Sequence, residues 1–122
     1  MHFIISQIKQ FYLLAIVATL ITACDGLKAI PSEKKSYIGT WQGEYMAITI
    51  TSDAKINYKY KKDTVSKTIQ APIFEFIGND FKVSVSGLNT VFVVSKVPYF
   101  EDGVWKMVID DQLVIRKNAL YL

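Results

Sequence analysis

Between Ala47 and Arg116, apolar and polar residues alternate in short runs, and this period of two constrains the fold more than any other feature of the chain. A helix brings apolar positions back every three or four residues, whereas a half-buried strand buries every second one. Ala47 to Thr51 alternates in this way. So does Ile56 to Lys61, which puts Ile56, Tyr58 and Tyr60 on one face and Asn57, Lys59 and Lys61 on the other. Phe81 to Ser86 is a third clean case, and Trp105, Met107 and Ile109 alternate with Lys106 and Val108. Thr90 to Val94 is apolar on both faces and is expected to be covered on both sides. Gln112 to Arg116 closes the series.

Turn-forming residues separate these runs: Ser52-Asp53, Lys62-Asp63, Gly78-Asn79-Asp80, Gly87-Leu88-Asn89, Glu101-Asp102-Gly103 and Asp110-Asp111. Pro72 and Pro98 fall between runs, where a missing backbone donor is tolerated. No segment after Tyr37 has a helical period. The expectation is an all-β fold, a small antiparallel meander of seven or eight short strands closed as a barrel or sandwich over residues 37–122. Pro72-Ile73-Phe74-Glu75 with Phe81-Lys82 is echoed by Pro98-Tyr99-Phe100-Glu101 with Trp105-Lys106. A duplicated hairpin and chance resemblance both explain that echo.

The rest of the chain limits chemistry and location. Its one histidine is His2 and its one cysteine is Cys24, inside or at the edge of an apolar N-terminal segment. The run from Phe11 to Ile21 has the length of a signal-peptide core and falls short of the ~20 residues that span a bilayer. It ends in Ile21-Thr22-Ala23-Cys24, and here the chain resembles a bacterial lipoprotein precursor, whose lipobox sets an aliphatic residue and two small ones before cysteine. The resemblance implies that residues 1–23 are a signal peptide, that cleavage precedes Cys24 and that Cys24 carries the lipid. The protein is then held at a membrane of the bacterial cell envelope, facing the periplasm. In enterobacterial lipoproteins an aspartate after the cysteine, here Asp25, often marks inner-membrane retention; lineages differ, so either membrane stands. Residues 24–36 are expected to be the lipidated cysteine and a polar tether, with the β-domain beginning at Tyr37.

Removal of the signal leaves no histidine and one acylated thiol, which excludes disulfides, zinc sites and His- or Cys-based catalysis. The paired acids Glu101-Asp102 and Asp110-Asp111, and the pairs Ser66-Lys67 and Ser95-Lys96, are adjacent in sequence and diverge. A calcium site at Asp110 and Asp111 lacks further oxygens. No enzyme activity, metal or cofactor is expected. The formal net charge of +3 is too small to indicate a nucleic-acid partner.

Two functional readings stand. Gly39-Thr40-Trp41, followed by Gly43, resembles the Gly-x-Trp signature of lipocalins and implies a carrier or sensor of a small apolar ligand, lined by Trp41, Tyr58 and Trp105. The chain is much shorter than a lipocalin, which favours a filled interior. Asn89 to Asp110 resembles small exported proteins of Gram-negative bacteria that share a Pro-Tyr, Gly-x-Trp-Lys-Met and Asp pattern, and it brings no activity with it. The preferred reading is a non-enzymatic envelope lipoprotein whose β-domain contacts another envelope component. Tyr99 and Phe100 would supply the contact, together with Lys59 and Lys61 of a lysine-rich hairpin that also holds Lys55, Lys62 and Lys67. Burial of the two aromatics, and a merely solvated basic face, are the plainer alternatives.

Overall fold

The alternating runs become strands of one curled, wholly antiparallel sheet in the computed structural model, which describes residues 26–117. The expected signal segment and Cys24 lie outside the described residues. Nine strands follow in chain order: β1 (Gly39–Gln42), β2 (Met46–Ile50), β3 (Lys55–Lys62), β4 (Val65–Ile77), β5 (Asp80–Val85), β6 (Leu88–Phe92), β7 (Val94–Glu101), β8 (Val104–Ile109) and β9 (Gln112–Arg116). Their order across the sheet is β6-β5-β4-β3-β2-β1-β9-β8-β7. The count is nine rather than seven or eight because no turn separates β6 from β7. Val93 alone joins the two end strands of the sheet.

Two-residue turns connect five hairpins, and their backbone conformations explain the turn chemistry of the sequence. Ser86 and Gly87 have φ of 49° and 81°, and Asp110 and Asp111 have φ of 49° and 63°. Left-handed values at both central positions suit the twist of paired strands. Aspartate tolerates that region better than bulkier side chains do.

Both prolines differ from expectation by sitting inside strands. Pro72 is the last residue of β4 to pair with β3, opposite Lys55, and from Ile73 onward β4 pairs with β5. The strand thus changes partner where it has no N–H to offer. Pro98 lies in β7, an end strand, within a register shift between Lys96 and Tyr99, another place where the donor is not needed. The two hairpins that echo in sequence are both irregular at the proline-containing strand, and each carries a Glu–Lys pair: Glu75 with Lys82 at 2.8 Å and Glu101 with Lys106 at 3.1 Å. Their registers differ by two residues, since Glu75 lies opposite Lys82 whereas Tyr99, two residues before Glu101, lies opposite Lys106.

The core is the inner face of the curled sheet. Trp41, Ile48, Ile73, Phe81, Val83, Met107, Ile109 and Val114 are fully buried. An aromatic series runs through it, from Tyr37 to Phe81 at 6.4 Å, Phe81 to Phe92 at 5.1 Å and Phe92 to Tyr58 at 5.0 Å between ring centroids. Thr90 to Val94 is not covered on both sides: Phe92 and Val94 are buried, whereas Val91 and Val93 are exposed. One layer of sheet encloses this core, so a strand here has only one dry face.

The expected boundary at Tyr37 also moves. Residues 26–36 are not a free tether in the structure but a strap fixed to the sheet. Leu27 N–H donates to the Ile73 carbonyl at 3.1 Å, and Ile30 N–H to the Ser52 carbonyl at 3.0 Å. Ile30 is buried in the core. A 3₁₀ turn at Ser32–Tyr37 follows, and it drives Tyr37 into the interior, where the phenol donates to the Asn79 carbonyl at 2.8 Å. A few well-placed apolar side chains fix a segment whose composition is otherwise that of a linker.

Candidate functional site

Strand register lines up four side chains across β1, β9, β8 and β7. Trp41 lies opposite Arg116, Lys106 is opposite Ile115, and Phe100 is opposite Trp105. Directly paired residues share a face of the sheet, so the row runs from a buried indole to an exposed ring. The Arg116 guanidinium lies between two indoles, 4.9 Å from the Trp41 ring and 5.0 Å from the Trp105 ring. Its Nη2 donates to the Ser36 carbonyl at 2.7 Å, and Trp41 Nε1–H donates to the Tyr37 carbonyl at 2.9 Å. Burial lowers the Arg116 pKa. Phe100 packs on Trp105 with centroids 5.6 Å apart. Phe100 is 63% exposed and Trp105 37%. An exposed aromatic pair is thereby held in place from below by a cation stacked on a core tryptophan.

The expected groupings are divided by the fold. Trp41 and Tyr58 are buried, but Trp105 stands at the exposed end of the row, so the three do not line one cavity. Trp41 and Tyr58 fill the interior they were expected to border. Tyr99 and Phe100 also separate, because successive strand residues project to opposite faces. Tyr99 pairs with Lys106 and has the Lys96 ammonium 5.8 Å from its ring. It borders a shallow depression of about 450 Å³ that Asn79, Ser95, Val97 and Glu101 also line. Lys59 and Lys61 are exposed on β3, and four strands stand between β3 and β7. At ~4.8 Å per strand that is about 24 Å along the sheet, so these lysines do not join Phe100 in one patch. Two other depressions, of about 460 and 300 Å³, lie along β3. None of these three is lined by Trp41, Tyr58 or Trp105.

The paired acids have structural partners. Lys106 bridges Glu101 at 3.1 Å and Asp102 at 3.6 Å. These contacts, the Glu101 hydrogen bond foremost, raise the Lys106 pKa. Asp110 accepts from Val93 N–H at 2.9 Å, while its own N–H donates to the Val93 carbonyl at 2.8 Å. Asp80 accepts from Val94 N–H at 2.8 Å. Two carboxylates therefore satisfy the backbone where β6 runs into β7. Desolvation raises the Asp110 pKa against the opposing effect of the Val93 N–H. Among the described residues, no group of three or more His, Cys, Asp or Glu side chains is arranged to hold a metal ion.

No family model matches the chain, and neither a curated protein nor a solved structure is significantly similar to it. The site residue that sequence reasoning missed is Arg116. Arg116 ends the last alternating run in phase with the buried Val114, and its register opposite Trp41 shows that it points inward. A terminal Arg in phase with a buried Trp across a strand pair is the signal that could have found it.

Proposed function

We propose that the protein is a bacterial envelope lipoprotein, anchored through acylated Cys24 and facing the periplasm, whose β-domain works by contact with another envelope protein and not by catalysis. The supporting observation is the Phe100–Trp105 pair. A phenylalanine 63% exposed costs solubility, yet here it is buttressed by Trp105 and Arg116 instead of being folded inward. Rigid aromatic surface of this kind contributes much of the energy at protein interfaces. Tyr99, on the opposite face of β7, borders the contact and does not form its centre. Lys59 and Lys61 belong to a separate basic surface.

The same reading treats β6 and β7 as one bent stave. Eight staves then close through the β1–β9 pair into a small filled barrel, with Val93 at the bend. What weighs against the lipocalin-like carrier is the core occupied by Trp41, Tyr58, Phe81 and Phe92.

Phe100→Ser separates contact from packing. Its stability is expected to stay within about 0.5 kcal/mol of wild type, as at other exposed positions. A photo-crosslinker at position 100 is expected to give one discrete protein adduct in intact cells, while the equally accessible Leu88 position gives none. If Phe100→Ser unfolds the domain, or positions 88 and 100 give the same adducts, the contact role of Phe100 is wrong.

A further inference from the structure

The strap places the lipid-bearing end of the chain against one corner of the sheet, and this says how the domain meets the membrane. Only Asp25 separates Cys24 from Gly26. Two residues span at most about 7 Å. Gly26 sits directly on β4: a Cβ built there would lie 3.3 Å from the Ile73 carbonyl oxygen, 3.6 Å from Phe74 Cα and 3.8 Å from Phe74 Cδ2. Leu27 N–H then closes onto the Ile73 carbonyl, so no slack follows. A free tether of residues 24–36 would let the domain drift about 40 Å from its anchor. The strap brings the Phe74 backbone to within about 12 Å of Cys24 Cα. The headgroup layer is itself about 5–7 Å deep on each side of a bilayer.

The corner brought down in this way has the chemistry of a membrane-facing surface. Phe74 is 42% exposed, and the Lys82 ammonium lies 5.1 Å from its ring. Lys28, two residues beyond Gly26, is exposed. Lys82 is also paired with Glu75 at 2.8 Å, so the corner combines an exposed ring with lysines whose long stems can reach the phosphate groups at the boundary with the acyl chains. The lysine-rich β3–β4 hairpin is at the other end of the same strand. Val65 is nine residues from Phe74 along β4, about 30 Å at the rise of an extended chain.

We propose that the acylated protein docks on the phospholipid bilayer through the corner of Gly26, Lys28, Phe74 and Lys82, and holds the Lys59–Val65 hairpin tip away from it. The inference rests on Cys24 carrying the lipid. Acylation also supplies the test, because it consumes the one thiol in the mature chain. Phe74→Cys, Lys82→Cys and Val65→Cys are each expressed as full-length precursors, purified as mature lipoprotein and labelled with an environment-sensitive fluorophore. Circular dichroism checks each fold. The proteins are reconstituted in phosphatidylethanolamine–phosphatidylglycerol vesicles containing lipids with a nitroxide near the headgroup. Labels at 74 and 82 are expected to shift to the blue and to be quenched several-fold more than the label at 65. Equal or stronger quenching at 65, or none at all three while wild type takes up no label, overturns the docking corner and leaves the anchor standing. A wild-type mature chain that takes up label at Cys24 overturns the anchor and the docking corner together.

Discussion

Ile30→Ala decides whether the chain before Tyr37 is strap or tether. Ile30 is 7% exposed and belongs to the core, with its N–H bonded to the Ser52 carbonyl. The change removes three carbons at ~0.8 kcal/mol each, about 2.4 kcal/mol. A residual cavity would add to this, although a site at the end of the sheet can partly collapse. The expected loss is therefore about 2–3 kcal/mol, at the lower end of the range for buried isoleucines. The whole stability margin of a domain of this size is roughly 5–10 kcal/mol, so the effect is large. In urea, with a slope of about 1 kcal/mol/M, the midpoint should fall by about 2–3 M with the slope unchanged. The assay uses residues 24–122 with Cys24→Ser. Lys28→Ala, exposed two residues earlier, serves as control and should move the midpoint by no more than about 0.5 M. If Ile30→Ala is as mild as the control, residues 26–36 are a tether after all, and the docking corner loses its support.

Two further variants test the polar contacts. Tyr37→Phe removes the hydrogen bond to the Asn79 carbonyl and should cost about 0.5–1.5 kcal/mol at neutral pH. Burial, with a smaller contribution from Asp80, raises the Tyr37 pKa above 10.0. The neutral phenol is thus the favoured form in the fold. Its contribution is complete below pH 10.0 and is lost as pH rises through the folded-state value, so the gap between wild type and Tyr37→Phe should narrow in alkaline urea melts. A gap that widens there would contradict the assignment. Asp80→Ala leaves the Val94 N–H without its acceptor in a buried position and should cost about 1–3 kcal/mol, most of which Asp80→Asn recovers by keeping a side-chain oxygen. Equal losses in the two variants would mean that the carboxylate charge matters and not the accepted bond.

Much of the fold was legible because period two and turn chemistry agree. Ile56, Tyr58 and Tyr60 against Asn57, Lys59 and Lys61 could only be a strand with one wet face. Legibility failed where both alternating sets contain apolar residues. In β9, Leu113 and Ile115 outnumber Val114, and composition alone would bury them. The structure buries Val114 and exposes the other two. Val114 lies opposite Met107 and Arg116 opposite Trp41, so the neighbours' register chooses the face. The same holds for Val91 and Val93 beside Phe92 and Val94. The strap was hidden for a different reason. Ile30 and Tyr37 are seven residues apart in a run rich in lysine and serine, and no local period joins them. Their partners, Ser52 for Ile30 and Phe76, Asn79 and Phe81 for Tyr37, are distant in sequence.

That long-range dependence links the two proposed surfaces, the docking corner and the aromatic pair. The strap bonded to Ile73 through Leu27 continues into the 3₁₀ turn, whose Ser36 carbonyl accepts from Arg116 and whose Tyr37 carbonyl accepts from Trp41. Arg116 in turn supports Trp105, and Trp105 supports Phe100. A continuous path of hydrogen bonds and stacked rings thus runs from the residues that follow Cys24 to the exposed aromatic pair. The Trp41–Tyr37 bond is buried, and the exposed links, Arg116 to Ser36 and Phe100 to Trp105, are built on Arg116 stacked over Trp41, so the path is anchored in the core. If Cys24 is acylated, the Phe100–Trp105 surface is presented at a set angle to the bilayer and not swept through a volume on a loose leash. Such a lipoprotein would meet a partner whose own position in the envelope is fixed, and lengthening the chain between Cys24 and Gly26 with glycine and serine should weaken that contact even though the β-domain is untouched.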